Sequence, residues 1–163
     1  GQYHPREVRG CLHKGSSEED EKGGDGMSYE WAIQTAVYSR LKGDSALMAM
    51  VKGVFDSVPQ VIDAGVAADY PYITLGEDIH LEWDTDTEQG SDCTITIHVW
   101  SRYRGRKEVK EIQGRIFDML HRASFTVTGY NLVDCFWIQS DSFMDADGLT
   151  RHGVQTFRII IED

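Results

Sequence analysis

The run Cys93 to Leu120 constrains this chain most, because its hydrophobic period changes once and abruptly. Cys93, Ile95, Ile97 and Val99 alternate with Thr94, Thr96, His98 and Trp100, the pattern of a strand with one face in a core. Val109, Ile112, Ile116 and Leu120 then recur at helical spacing, with Phe117 widening the stripe. Arg102, Arg104, Arg106 and Lys107 lie between the two patterns, the one dense positive cluster of the sequence. A strand that turns through basic residues straight into an amphipathic helix must pack that helix back on the sheet it has just left.

The rest of the chain sets bounds on this unit. Its 163 residues suit one domain, and a hydrophobic share of 40% argues against disorder of the whole. No run approaches the roughly 20 apolar residues that cross a bilayer as a helix. No secretory h-region stands at the start, so nothing argues for export. Cys11, Cys93 and Cys135 lack metal-type spacing and leave one thiol over under any disulfide scheme, which points to a reducing compartment. A net charge of −11 opposes general binding to nucleic acid, since phosphate is repelled and counterion release needs clustered Lys and Arg.

Residues 1–26 read as a separate N-terminal extension. Gly15 to Gly26 contains no hydrophobic residue and cannot offset its ordering entropy by burial. Met27 opens the patterned domain, 27–163, and is a plausible natural start. Lys22-Gly23-Gly24 back-translates to a purine-rich run of ribosome-binding type, so the extension reads as upstream or added sequence; an arm that orders against a neighbouring subunit is the alternative.

Within 27–163 the signals fall in order. Ser28 caps a helix to about Leu41, and Gly43 stops it. Asp44 caps a short second helix with Leu47, Met48 and Val51. Val54–Val58 reads as a short strand ended by Pro59, and Gln60–Asp69 as a loop. A long strand starts at Tyr70 and runs through Ile79, Leu81 and Trp83. Asp84–Asp92 is a hairpin loop into the strand Cys93–Arg102. A helix follows over about Arg106–Arg122, then a strand Tyr130–Phe143, a turn Asp145–His152 and a last strand Gly153–Ile161. Helices first, then strands with one inserted helix, make an α+β fold: a mostly antiparallel sheet, one long helix on a face, and short N-terminal helices.

Four constellations have residue types that could carry chemistry. Asp78, His80, Glu82 and Asp84 share one side of a strand, as a hard-metal or His-carboxylate site would; the simpler reading is apolar-in, with Ile79, Leu81 and Trp83 facing the core. Asp145-Ala146-Asp147-Gly148 resembles a calcium loop, but Phe143 and Val154 occupy positions where an EF-hand needs oxygen ligands, so a turn fits better. There is no nucleophile elbow, Walker loop or dinucleotide fingerprint. The basic turn with Tyr103 could stack on bases and clamp phosphate, contact a protein partner, or stay solvated; Lys107 is matched by Glu111 four residues on.

Several segments resemble the tail-completion, or tail-terminator, family of long-tailed bacteriophages and gene transfer agents. They are Val54-Phe55-Asp56-Ser57-Val58-Pro59, Tyr70 to Glu77, His98-Val99-Trp100-Ser101-Arg102, Gly105-Arg106-Lys107-Glu108, Asp145-Ala146-Asp147-Gly148 and His152-Gly153. Order and spacing agree from about Tyr29 to Ile161. The resemblance implies a small structural subunit without catalytic, metal or cofactor sites. It implies a six-membered ring of identical copies at the head-proximal end of the tail, touching the tail tube protein and the head–tail connector. The virion would be its final place and the host cytoplasm the place of assembly.

Under that reading Arg102, Arg104, Arg106 and Lys107 are expected at an oligomer or partner interface. Glu77, Glu82, Asp84, Asp86, Glu88 and Asp92 are candidates to line a channel through which DNA passes without binding. Asp145, Asp147, Gly148 and His152 are candidate hairpin contacts. The alternatives are a nucleic-acid-binding accessory module using the Arg102–Lys107 turn, or a metal-dependent hydrolase built on His80 and its carboxylates.

Overall fold

A computed structural model describes residues 26–56 and 69–163. The elements are α1 (Tyr29–Lys42), α2 (Ser45–Met50), β1 (Val54–Phe55), β2 (Tyr72–Glu82), β3 (Gly90–Ser101), α3 (Lys107–Leu120), β4 (Asn131–Met144) and β5 (Arg151–Glu162). The caps act as their chemistry requires. Ser28 accepts from the Trp31 amide and Asp44 from the Leu47 amide, each satisfying a helix N–H that has no intrahelical partner.

The five strands form one sheet in the order β1-β2-β3-β5-β4. β1 runs parallel to β2, and every other pairing is antiparallel. The expected α+β class is what forms, with one amendment: α1 is as long as α3, at 14 residues each. Both helices lie on the same side of the sheet. Ile33, Val37 and Leu41 of α1 and Ile112, Ile116 and Leu120 of α3 bury against Ile73, Cys93, Ile95, Ile97, Val99, Phe157 and Ile159. Gly153 lets α3 come this close, since a Cβ there would lie 2.7 Å from both Val109 Cγ1 and Gln113 Nε2.

The expected strand Val54–Val58 is described only to Asp56, and its end at Pro59 and the loop to 68 lie outside the described residues. So do Cys11 and the first 25 residues of the extension. Two boundaries shift by strand pairing. Asp92 sits within β3 opposite Ile160, and His152 within β5 opposite Trp100, instead of in the turns.

The clearest departure lies in β2. Pairing steps from Leu75↔Ile97 to Asp78↔Ile95, three residues on β2 against two on β3, which is a β-bulge. Because side chains alternate, the extra residue moves everything after it to the opposite face. Ile79 and Leu81 therefore point away from the helices and are 63% and 62% exposed, against the expectation that they face the core. Asp78 and His80 take the helix side in their place.

Candidate assembly interface

The sheet runs lengthwise between two ends of opposite charge. β3 leaves one end at Gly90 and reaches the other at Ser101, 12 residues or about 40 Å away. The first end carries the β2–β3 hairpin, where Glu82, Asp84, Asp86 and Glu88 are all exposed. Asp84 Oδ1 accepts from the Gly90 amide at 3.3 Å and fixes the turn. A hydrogen bond with Asp84 raises the Glu82 carboxyl, the mark of two like charges held together.

The remaining two acidic candidates lie elsewhere. Asp92 projects from the open side of the sheet and is paired with the Arg158 guanidinium, Nε to Oδ1 at 2.8 Å. Glu77 sits in the bulge, 3.4 Å from His98 Nε2. Its carboxyl is held below the usual range, first by a backbone hydrogen bond and then by His98. The six carboxylates thus divide by place: four at the exposed hairpin tip, Glu77 in the bulge with its side chain still mostly exposed, and Asp92 paired on the open side of the sheet.

The opposite end carries the basic turn, and folding divides it as well. Arg102 is spent internally: its guanidinium covers the Tyr70 ring at 4.4 Å, Nε donates to Thr150 Oγ1 at 3.4 Å, and Asp147 lies 4.0 Å away. Lys107 meets Glu111 at 3.8 Å in the expected helical pair. Arg104 and Arg106 are exposed and have no ion pair among the described residues. Ser101 organises this turn, donating to Glu108 Oε1 at 2.6 Å and accepting from the Tyr103 amide at 3.1 Å.

The turn between β4 and β5 stands beside it. Asp147 accepts from Leu149 N, Thr150 N and Thr150 Oγ1, and these donors, the hydroxyl foremost, pull its carboxyl down to about 2. Gly148 adopts φ +67, a left-handed turn position. Asp145 closes the turn by donating its amide to the Thr150 carbonyl at 2.7 Å. Two loops read separately in the sequence therefore form one surface, joined through Arg102.

His152 leaves that surface for the open side of the sheet, where it belongs to a row of rings that crosses four strands. Trp100 stacks on it with centroids 3.9 Å apart and planes 13° apart, Phe143 meets it edge-on at 4.9 Å, and Tyr72 lies 6.2 Å beyond Trp100. His98 Nδ1 is 2.7 Å from His152 Nε2. Burial first, and His98 second, lower the His152 pKa and favour its neutral form. Sequence reasoning missed this row because its members come from four separate segments; only their register places them side by side.

Exposed Ile79 and Leu81 extend the same open side toward the acidic hairpin. Leaving two large aliphatic side chains in water forgoes roughly 1.5–3 kcal/mol each relative to burial. An apolar strip of this kind, on an arm that ends in free carboxylates, has the composition of a contact surface.

The sequence profile of the family described as Tail completion protein gp17 matches residues 35–162. The protein called Tail completion protein gp17 of Bacillus phage SPP1 is 27% identical over 132 residues, covering 81% of this chain and 93% of that one. A solved chain titled "Structure of bacteriophage SPP1 gp17 protein" is 26% identical with a TM-score of 0.54, over 82% of this chain and 95% of that one. A chain in "Virion of native gene transfer agent (GTA) particle" shares the fold, with a TM-score of 0.73 at 24% identity over 85% of this chain and all of the other. With the family profile spanning most of the described domain, this chain belongs to the tail completion protein gp17 family.

Proposed function

We propose that this protein is a structural virion component that closes into a ring of identical copies at the head-proximal end of a phage-type tail. There it ends the tail tube and offers its upper surface to the head connector. The observation that carries this reading is the polarity of the sheet: an acidic, apolar-edged hairpin at one end and free arginines at the other. A ring of like subunits needs two dissimilar, complementary patches, because each contact is heterologous and must close. Family membership and the place of a like fold in a gene transfer agent particle support the same reading.

The parts then take distinct roles. Arg104 and Arg106 of the basic turn contact a neighbouring subunit or the connector. The hairpin carboxylates Glu82, Asp84, Asp86 and Glu88 are free to face a passing DNA and repel its phosphates. The turn 145–150, buttressed by Arg102, supplies a rigid contact to the tube or connector. No step transforms a substrate; the work is done by shape and charge.

Reversing Arg104 and Arg106 to Glu tests the assignment directly. Both side chains are exposed, so the melting temperature should stay within about 2 °C of the parent, as expected for surface changes. Complementation of particle assembly should fall severely, leaving heads and tails unjoined under the electron microscope. Wild-type yields of joined particles from that double variant would remove the basic turn from the interface.

A further inference from the structure

The β-bulge that expels Ile79 and Leu81 also brings Asp78 and His80 onto the helix side, directly beside Cys93. His80 and Cys93 are cross-strand partners, and Asp78 lies two residues before His80 on the same face. One donor atom from each of the three lies within 4.8 Å of the others. His80 Nε2 is the hub, 2.8 Å from Asp78 Oδ2 and 3.6 Å from Cys93 Sγ. The second ring nitrogen, Nδ1, is 3.2 Å from Ser91 Oγ.

We propose that Asp78, His80 and Cys93 form a binding site for a divalent cation of the zinc class. A carboxylate, an imidazole and a thiolate make a mixed O, N, S set of the borderline softness that selects zinc over magnesium or calcium. Tetrahedral bonds of about 2.0–2.3 Å place ligand atoms roughly 3.3–3.7 Å apart. The His–Cys separation of 3.6 Å already fits, and the carboxylate of Asp78, exposed and directly after the bulge in β2, must open from 2.8 Å to about 3.3 Å from His80 Nε2 to admit the ion. Ser91 supplies the outer partner a ligating histidine requires: with Nδ1–H donating to Oγ, the Nε2 lone pair faces Asp78 and Cys93. Finally, an open recess of about 550 Å³ lined by Ser28, Glu30, Trp31, Gln34, Asp78 and His80 gives an ion a way in.

The fourth position opens on that recess, where the Glu30 carboxylate or water completes the shell. Binding deprotonates the Cys93 thiol, with the proton released to solvent. A bound ion would staple β2 to β3 just past the bulge, at the root of the acidic hairpin, and tie both to the first turn of α1 when Glu30 joins. The arm whose position an assembly interface depends on would thereby be stiffened.

Cobalt(II) is the probe for the test, titrated into the reduced full chain. The expected result is one equivalent per chain, with the intense visible bands of a four-coordinate centre and a near-ultraviolet thiolate-to-cobalt band, both displaced by zinc. His80→Asn, whose side chain reaches the surface, should lose the bands or weaken affinity at least tenfold, and Ser91→Ala should weaken it about 10–100-fold as an outer partner does. Cys93→Ser should abolish the charge-transfer band. Zinc should raise the melting temperature of the parent and leave that of His80→Asn unchanged. No thiolate band in the parent at a large excess of cobalt overturns the proposal. So does a band kept at full affinity in His80→Asn, which would belong to Cys11 or Cys135.

Discussion

Gly153 shows how one missing side chain sets the distance between layers. It lies in β5 under α3, where Gln113 Nε2 and Val109 Cγ1 fill the space a Cβ would take. Gly153→Ala must push the helix outward or force both neighbours from their rotamers. The expected loss is about 1–3 kcal/mol, read as a lower denaturation midpoint with an unchanged m-value. Gly76 plays a different part within the bulge: a Cβ there would stand 2.4 Å from His98 Nε2 and 3.1 Å from the Thr96 carbonyl. An isolated glycine inside a strand pattern is a bulge signal, and it was the one local hint that the phase of β2 would change after Leu75.

Among the elements, α2 has just 6 residues and cannot hold itself together in isolation. It is anchored by Asp44, which caps it and takes two bonds of 2.7 Å from Arg115 Nε and Nη2 on α3. The Arg115 hydrogen bond is the main cause of the lowered Asp44 pKa. A carboxyl depressed in the folded state adds stability that is complete above its ordinary range and is lost as pH falls through the folded value. Asp44→Ala is expected to cost about 1 kcal/mol at neutral pH from the cap. Asp44→Asn should also flatten the acid limb of stability, so the gap in melting temperature between parent and variant should hold from pH 7 down to the ordinary carboxylate range and narrow as pH falls below it. Parallel curves would show that another carboxylate governs acid unfolding. The helix and strand signals for α1, α2, β3, α3 and β5 were all legible in the sequence, because each is set by neighbours within one or two turns.

For the whole molecule the decisive feature is the separation of charge and apolar surface. The acidic hairpin, the Ile79–Leu81 strip and the free arginines occupy different places on one rigid sheet, a disposition suited to contacts that propagate from copy to copy. Ile79→Ser with Leu81→Ser makes a sharp test, because the two residues are exposed in the single subunit. The double variant should keep the parent's melting temperature to within a few degrees, yet fail to complement particle assembly, as the proposed ring contact requires. A monomer strongly destabilised by this change would mean that the strip packs within its own subunit.

The order of elements, the caps, the core face of the central strand and helix, and the likeness to tail completion proteins all lay in the sequence, since local period and turn chemistry act over a few residues. Tertiary structure alone decided which charges remain free. Arg102 and Asp92 look like members of exposed clusters until pairing across the sheet brings Thr150, Asp147 and Arg158 to them. It also decided the face of Ile79, Leu81, Asp78 and His80, because one extra residue in β2 reverses the alternation and only the partner strand reveals where that residue is accommodated. Contacts between residues far apart in the chain depend on register, and register is a property of two strands, never of one.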